Sequence, residues 1–128
     1  MRNVSDLPHQ VRVIDHQWIP LRDGTRLAAR IWLPADATAV PVPALLEYIP
    51  YRKRDMTAFR DWRNHGYFAG HGYASIRLDV RGTGDSEGIY GAQFAAQYAE
   101  DAVDAIAWIA SQPWCTGAVA MFGLSWGA

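Results

Sequence analysis

The sequence predicts an α/β chain in which an antiparallel hairpin opens a mostly parallel sheet with helices. Three observations carry that expectation. Two β-favouring runs, residues 11–18 and 26–33, flank Asp23-Gly24, a dipeptide that favours tight hairpin turns. Short apolar runs then alternate with stretches of helical period. The last apolar run, 118–122, has no polar residue, as expected of a strand buried on both faces of a parallel sheet. At 128 residues the chain has room for one domain with a core and not for two, so residues 1–128 are expected to form a single unit.

The elements follow in order. Residues 34–43 hold three prolines and several alanines without periodicity, and read as a loop. Residues 44–48 form a short apolar run closed by Pro50, consistent with a buried strand. Over 59–70, Phe59, Trp62, Tyr67 and Phe68 are apolar with polar residues between them. One helix is expected there, ended by Gly70 and Gly72. Residues 73–80 read as a strand whose core side runs through Ala74, Ile76, Leu78 and Val80. A turn-rich loop, 81–88, comes next. A second helix is expected over 94–111, with Tyr98, Ala102, Ala105, Ile106 and Ile109 on its apolar face and Glu100, Asp101 and Asp104 off it. Pro113 stops it.

Composition excludes some classes of function. Half the residues are hydrophobic, a fifth are charged, and the net charge is −1. No strong field points to nucleic acid or an anionic membrane. No run reaches transmembrane length and the N-terminus has no signal-like apolar stretch. The single cysteine, Cys115, allows no internal disulfide, which favours a reducing, cytoplasmic setting. Between Trp114 and Thr116 it reads as a small buried hydrophobe rather than a nucleophile. His65 and His71 lie six apart with no third ligand at metal spacing, and are expected at the surface or a helix end. Gly82-Thr83-Gly84-Asp85-Ser86-Glu87 puts glutamate where a dinucleotide loop needs its third glycine. Its glycines are read as turn residues near an active-site mouth, and no cofactor or metal is expected.

The residues that carry chemistry are Gly123-Leu124-Ser125-Trp126-Gly127. This G-x-S-x-G pattern would occur by chance in roughly a few per cent of such chains, so only its context gives it weight. The preceding strand is present. Glycines on either side let the backbone turn sharply from strand to helix, presenting the Ser125 hydroxyl and aiming the Trp126 backbone N–H at a developing oxyanion. The pattern is that of the nucleophile elbow in the α/β-hydrolase fold. The alternative is a glycine-rich turn at a strand end.

Several stretches together resemble one family. They are Asp23-Gly24-Thr25-Arg26 with Ile31-Trp32-Leu33-Pro34, Glu47-Tyr48-Ile49-Pro50-Tyr51-Arg52-Lys53-Arg54-Asp55, Asp79-Val80-Arg81-Gly82-Thr83-Gly84-Asp85-Ser86-Glu87-Gly88, and Gln112-Pro113-Trp114-Cys115 leading to Ser125. The family is the cocaine esterase / Xaa-Pro dipeptidyl-peptidase group, the CocE/NonD hydrolases. The resemblance covers nearly all of this chain but only the opening part of a typical member. It implies that Tyr51 donates its hydroxyl to the oxyanion beside the Trp126 N–H, a contribution on the order of 3 kcal/mol. Tyr51 could instead be an amphipathic residue packed at a strand end. Ile49 stands where the family usually has threonine, and Trp126 where tyrosine is common.

In this fold the triad runs Ser, then Asp or Glu, then His. All four histidines precede Ser125, so both partners are expected beyond residue 128. The chain is therefore expected to be the N-terminal part of a serine hydrolase that cleaves peptide, amide or ester bonds in small molecules or short peptides through an acyl-enzyme. Alone it is expected to be inactive, and to self-associate through an exposed strand 118–122. The competing reading is a non-catalytic truncated protein or interaction module.

Overall fold

The computed structural model describes residues 6–92 and 95–125. Five strands form one sheet: β1 (Val11–Pro20), β2 (Arg26–Pro34), β3 (Val42–Ile49), β4 (Ala74–Asp79) and β5 (Cys115–Met121), in the order β1-β2-β4-β3-β5. β1 and β2 are the expected hairpin, with Gly24 at φ 86° in its turn. β2 meets β4 antiparallel, while β3 runs parallel to both β4 and β5. This is the predicted α/β sheet with an antiparallel edge.

Strand alternation sends successive side chains to opposite faces, and the two faces differ in chemistry. One carries Leu27, Ala29, Ile31 and Leu33 of β2, Ala44, Leu46 and Tyr48 of β3, and Ala74, Ile76 and Leu78 of β4. The helix α2 (Ala96–Ala110) packs there through Tyr98, Ala105 and Ile109. Burying Ile109 alone is worth about 1.5–3 kcal/mol. The helix begins at Ala96 rather than Phe94, which lies outside the described residues. Its buried face also includes Asp101, expected off that face. The reason is Arg81, whose Nε and Nη2 each reach the Asp101 carboxylate at 2.7 Å. Arg81 also binds Thr25 and Asp23 in the hairpin turn, both at 2.7 Å. One guanidinium thus ties helix, turn and loop together, and these carboxylates raise its already high pKa.

The opposite face holds Arg30, Glu47, Ser75, Arg77 and Asp79, alternating with the apolar set on β2, β3 and β4. All six residues of β4 are buried, so this polar side is covered rather than solvated. Its cover corrects the expectation of one amphipathic helix over 59–70. The segment is a 3₁₀ turn (Met56–Arg60), a π turn (Trp62–Gly66) and a single α-helical turn, α1 (Tyr67–Gly70). Phe59, Trp62 and Tyr67 are exposed, whereas Asp61 and His65 are buried. A polar sheet face needs polar partners, so the segment turns its acid and imidazole inward and its aromatics out. Of the two places expected for it, surface or helix end, His65 takes the second: it lies in the last turn of Trp62–Gly66, buried rather than at the surface.

β5 begins at Cys115, three residues earlier than read from sequence, and Cys115 is a buried free thiol. β5 pairs with β3 on one side and with no other strand among the described residues. Most of β5 is exposed, Met121 included. Among the described residues no helix is long and apolar enough to cross a membrane.

Candidate active site at the C-terminal edge of the sheet

The parallel strands β3, β4 and β5 all end on one edge, where ligands bind in open α/β sheets. β3 leads into Pro50 and Tyr51, β4 into the 80–88 loop, and β5 into Ser125. Leu46 pairs with Met121, and the Phe122 N–H donates to the Leu46 carbonyl at 3.1 Å, so the ends of β3 and β5 lie side by side. Phe122 packs over the polar face, 5.7 Å from the His65 ring and 5.4 Å from Phe68.

Ser125 has φ 59°, a left-handed conformation that a non-glycine residue adopts at a cost of about 1–3 kcal/mol. A strained serine just past a strand is the backbone signature of a nucleophile elbow. Ser125 is exposed and lines a cavity of about 380 Å³ with Tyr51, Glu47, Thr57, Phe59, Arg60 and Leu124. Two of the predicted site residues, Ser125 and Tyr51, therefore share one cavity. The third, Trp126, lies outside the described residues, as does Gly127.

Glu47, Thr57, Phe59 and Arg60 were not assigned to the site from sequence. Glu47 connects the cavity to the buried polar face. Its Oε2 lies 3.1 Å from His65 Nε2, whose Nδ1 lies 2.8 Å from Ser75 Oγ, and the imidazole stacks on Trp32 at 4.6 Å. Serine, histidine and glutamate make a triad by composition, yet Ser75 and His65 are both sealed in the interior. No substrate reaches that serine, so the trio reads as a structural network.

Arg77 closes the network. Its Nη1 binds Asp61 Oδ1 at 2.6 Å and lies 3.5 Å from Glu47, while Nη2 donates to Thr57. The two carboxylates respond in opposite directions. Burial opposes ionisation of Glu47, but His65, Arg77 and Arg60 outweigh it and hold the carboxyl below its ordinary range. Asp61 is raised, because burial of its more enclosed side chain prevails over Arg77, His65 and Arg30. Glu47 is thus a charged group at the cavity wall and a poor proton acceptor near neutrality.

The other histidines are also engaged. His9 lies 3.7 Å from Asp36, His16 lies 3.9 Å from Asp85 and packs on Trp18, and His71 meets the Tyr67 carbonyl at 2.8 Å. Together with His65, all four histidines of the sequence have partners other than Ser125.

A second cleft, of about 330 Å³, separates the Tyr51 loop from the 80–88 loop and is lined by Arg52, Arg54, Asp55, Asp79, Gly84 and Asp85. Its charges are paired within it. Arg52 binds Asp55 at 2.8 Å, and Asp85 takes Arg54 at 2.9 Å and Lys53 at 2.5 Å. Gly82 and Gly84 adopt positive φ, and a Cβ on Gly82 would stand 2.0 Å from the Tyr90 nitrogen. These glycines serve turn geometry and close packing, as read from sequence.

The Lys53 hydrogen bond, opposed by modest burial, holds Asp85 below the usual carboxylate range. For an acid with a depressed folded pKa, the stabilisation is present above the unfolded value, about 3.9, and lost as pH falls through the folded one. The gap in melting temperature between the native chain and Asp85→Asn is therefore expected to narrow from pH 6 to pH 3. A gap independent of pH would show that the pair contributes nothing through ionisation.

Comparison with known proteins bears on these loops directly. Residues 23–128 match the X-Pro dipeptidyl-peptidase (S15) family. The cocaine esterase of Rhodococcus sp. (strain MB1 Bresler) is 39% identical over 117 residues, 89% of this chain and 19% of that protein. A CocE/NonD family hydrolase from Staphylococcus aureus superposes with a TM-score of 0.76 at 18% identity, over 98% of this chain and 28% of that one. An α-amino acid ester hydrolase gives a TM-score of 0.67 at 26% identity, over 95% of this chain and 22% of the other. The chain spans about a fifth of the length of the curated relatives it matches. With a match that runs from the hairpin turn through β5 and Ser125, the chain belongs to the X-Pro dipeptidyl-peptidase (S15) family.

Proposed function

We propose that this chain carries the nucleophile side of a serine hydrolase that cleaves ester, amide or peptide bonds through an acyl-enzyme. The observation behind this reading is the strained Ser125 at the end of β5, sharing a cavity with Tyr51. Ser125 attacks the substrate carbonyl, and its oxygen bonds to the acyl carbon as the leaving group departs. Tyr51 O–H and the Trp126 backbone N–H stabilise the oxyanion in between. Water then releases the acyl group and restores the hydroxyl.

Moving the serine proton needs an imidazole, and the four histidines here are committed elsewhere. A further Asp and His, supplied after Ser125 in the family's order, complete the site. The 128-residue chain by itself is therefore inactive, since a serine without its base retains only weak residual catalysis.

The test is labelling by a fluorophosphonate probe. The 128-residue chain is expected to remain unlabelled. The catalytically complete protein that carries it is expected to label, and to lose that labelling in Ser125→Ala. A complete protein that does not label would overturn the reading and favour a non-catalytic module.

The exposed, unpaired side of β5 supports one further reading for the isolated chain, association of copies edge to edge. Sedimentation velocity should show concentration-dependent oligomers, reduced by Met121→Lys. A monomer at all concentrations would refute this.

A further inference from the structure

The clamp that joins the Tyr51 loop to the 80–88 loop converges on one side chain. We propose that Asp79 is a positioning residue for Tyr51, its two carboxylate oxygens bridging the backbone of the oxyanion loop to the backbone of the glycine turn. The inference rests on the reading of Tyr51 as an oxyanion donor.

Asp79 ends β4 and is fully buried. Its Oδ1 accepts the Lys53 backbone N–H at 2.5 Å, and its Oδ2 accepts the Asp85 backbone N–H at 3.0 Å. The first bond fixes the chain two residues after Tyr51. The neighbouring strand already fixes it on the other side, since the Val80 N–H donates to the Ile49 carbonyl at 3.0 Å. Tyr51 is thus held from both directions. Between the two anchors lies Arg52 at φ 66°, a left-handed conformation that needs external support.

The rest of the clamp is built around the same carboxylate. Gly84, at φ 53°, lies so close that a Cβ there would stand 2.1 Å from Asp79 Oδ2. The Lys53 side chain is fully buried and its Nζ binds Asp85 Oδ2 at 2.5 Å, a second bridge between the same loops. Ser86 Oγ donates to the Asp79 carbonyl and accepts the Ala28 N–H, both at 2.8 Å, which roots the turn on β2.

A carboxylate suits this position for a specific reason. Two N–H donors approach two different oxygens, and an amide offers only one oxygen. Asn at 79 must turn its NH₂ toward one of the two donors and lose that bond. The side chain is fully buried, and losing that bond lets the loop move. Displacements near 1 Å at an oxyanion donor suffice to cost large factors in rate.

A double-mutant cycle on the catalytically complete protein tests this, with kcat and KM read on an activated ester. Tyr51→Phe is expected to lower kcat about 10²- to 10³-fold. Asp79→Asn is expected to lower kcat about 10- to 100-fold with little change in KM. Combined, they should be no slower than Tyr51→Phe alone, because Asp79 acts through the hydroxyl already removed. If the two losses multiply, or if Asp79→Asn lowers only the melting temperature, the proposal is overturned while the Tyr51 reading stands. If Tyr51→Phe leaves kcat unchanged, the Tyr51 reading falls and the proposal with it. Should Asp79→Asn fail to accumulate as folded protein, Asp85→Ala removes the Lys53 Nζ anchor while keeping the backbone N–H that Asp79 accepts, and carries the same cycle. The same absence of additivity is expected there, and multiplying losses would again overturn the proposal.

Discussion

Arg77→Met should destabilise the protein by about 3–5 kcal/mol, the cost of breaking a buried ion pair from one side. Met nearly preserves volume, so the loss comes from charge rather than a cavity. Asp61, bound to Arg77 at 2.6 Å, would be left buried with Arg30 as its remaining guanidinium neighbour, at 3.8 Å. Glu47 and Thr57 each lose a partner as well. Asp61 already sits above its ordinary range, so it would respond by taking up a proton, which moderates the loss. Adding Asp61→Asn should recover part of the stability, because the unpaired charge is then gone. Urea unfolding midpoints of the three variants measure this. A loss below about 1 kcal/mol for Arg77→Met would mean that the polar layer under residues 56–70 is not energetically linked to the fold.

Tyr51→Phe in the catalytically complete protein should lower kcat about 10²- to 10³-fold with KM little changed, the result of removing an oxyanion donor that acts mainly in the transition state. Phe keeps the ring that lines the cavity, so the change isolates the hydroxyl. A raised KM at constant kcat would assign Tyr51 to substrate binding instead. Unchanged kinetics would return Tyr51 to a packing role at the end of β3. The variant should still label with a fluorophosphonate, more slowly, which separates loss of the oxyanion donor from loss of the nucleophile.

These two expectations divide between what sequence made legible and what it hid. Ser125 and Tyr51 sit in short segments whose chemistry is local. The elbow needs its glycines and a preceding strand, and the Tyr51 loop follows directly on β3. The network around Arg77 is not local: Arg30, Glu47, Asp61, His65 and Arg77 come from four separate segments. Nothing in the spacing of Asp61 and His65 marks them as buried. A signal did exist in β4, where Ser75, Arg77 and Asp79 alternate with Ile76 and Leu78. A strand between two others in a sheet with helices on both faces has no solvated side, so its polar residues must meet polar partners.

The sequence by itself determined the hairpin, the order of strands and helices and the α/β class, because turn dipeptides and hydrophobic period are local properties of the chain. It also determined the nucleophile candidate and the family resemblance, each carried by contiguous motifs. Tertiary structure alone decided which face of the 56–70 segment turns inward, because that depends on the charge already present on the sheet. For the same reason it decided that Asp101 answers Arg81 from within the core, and that one buried carboxylate, Asp79, holds the Tyr51 loop and the 80–88 loop together. Burial makes such pairings obligatory, and burial is a property of the assembled fold.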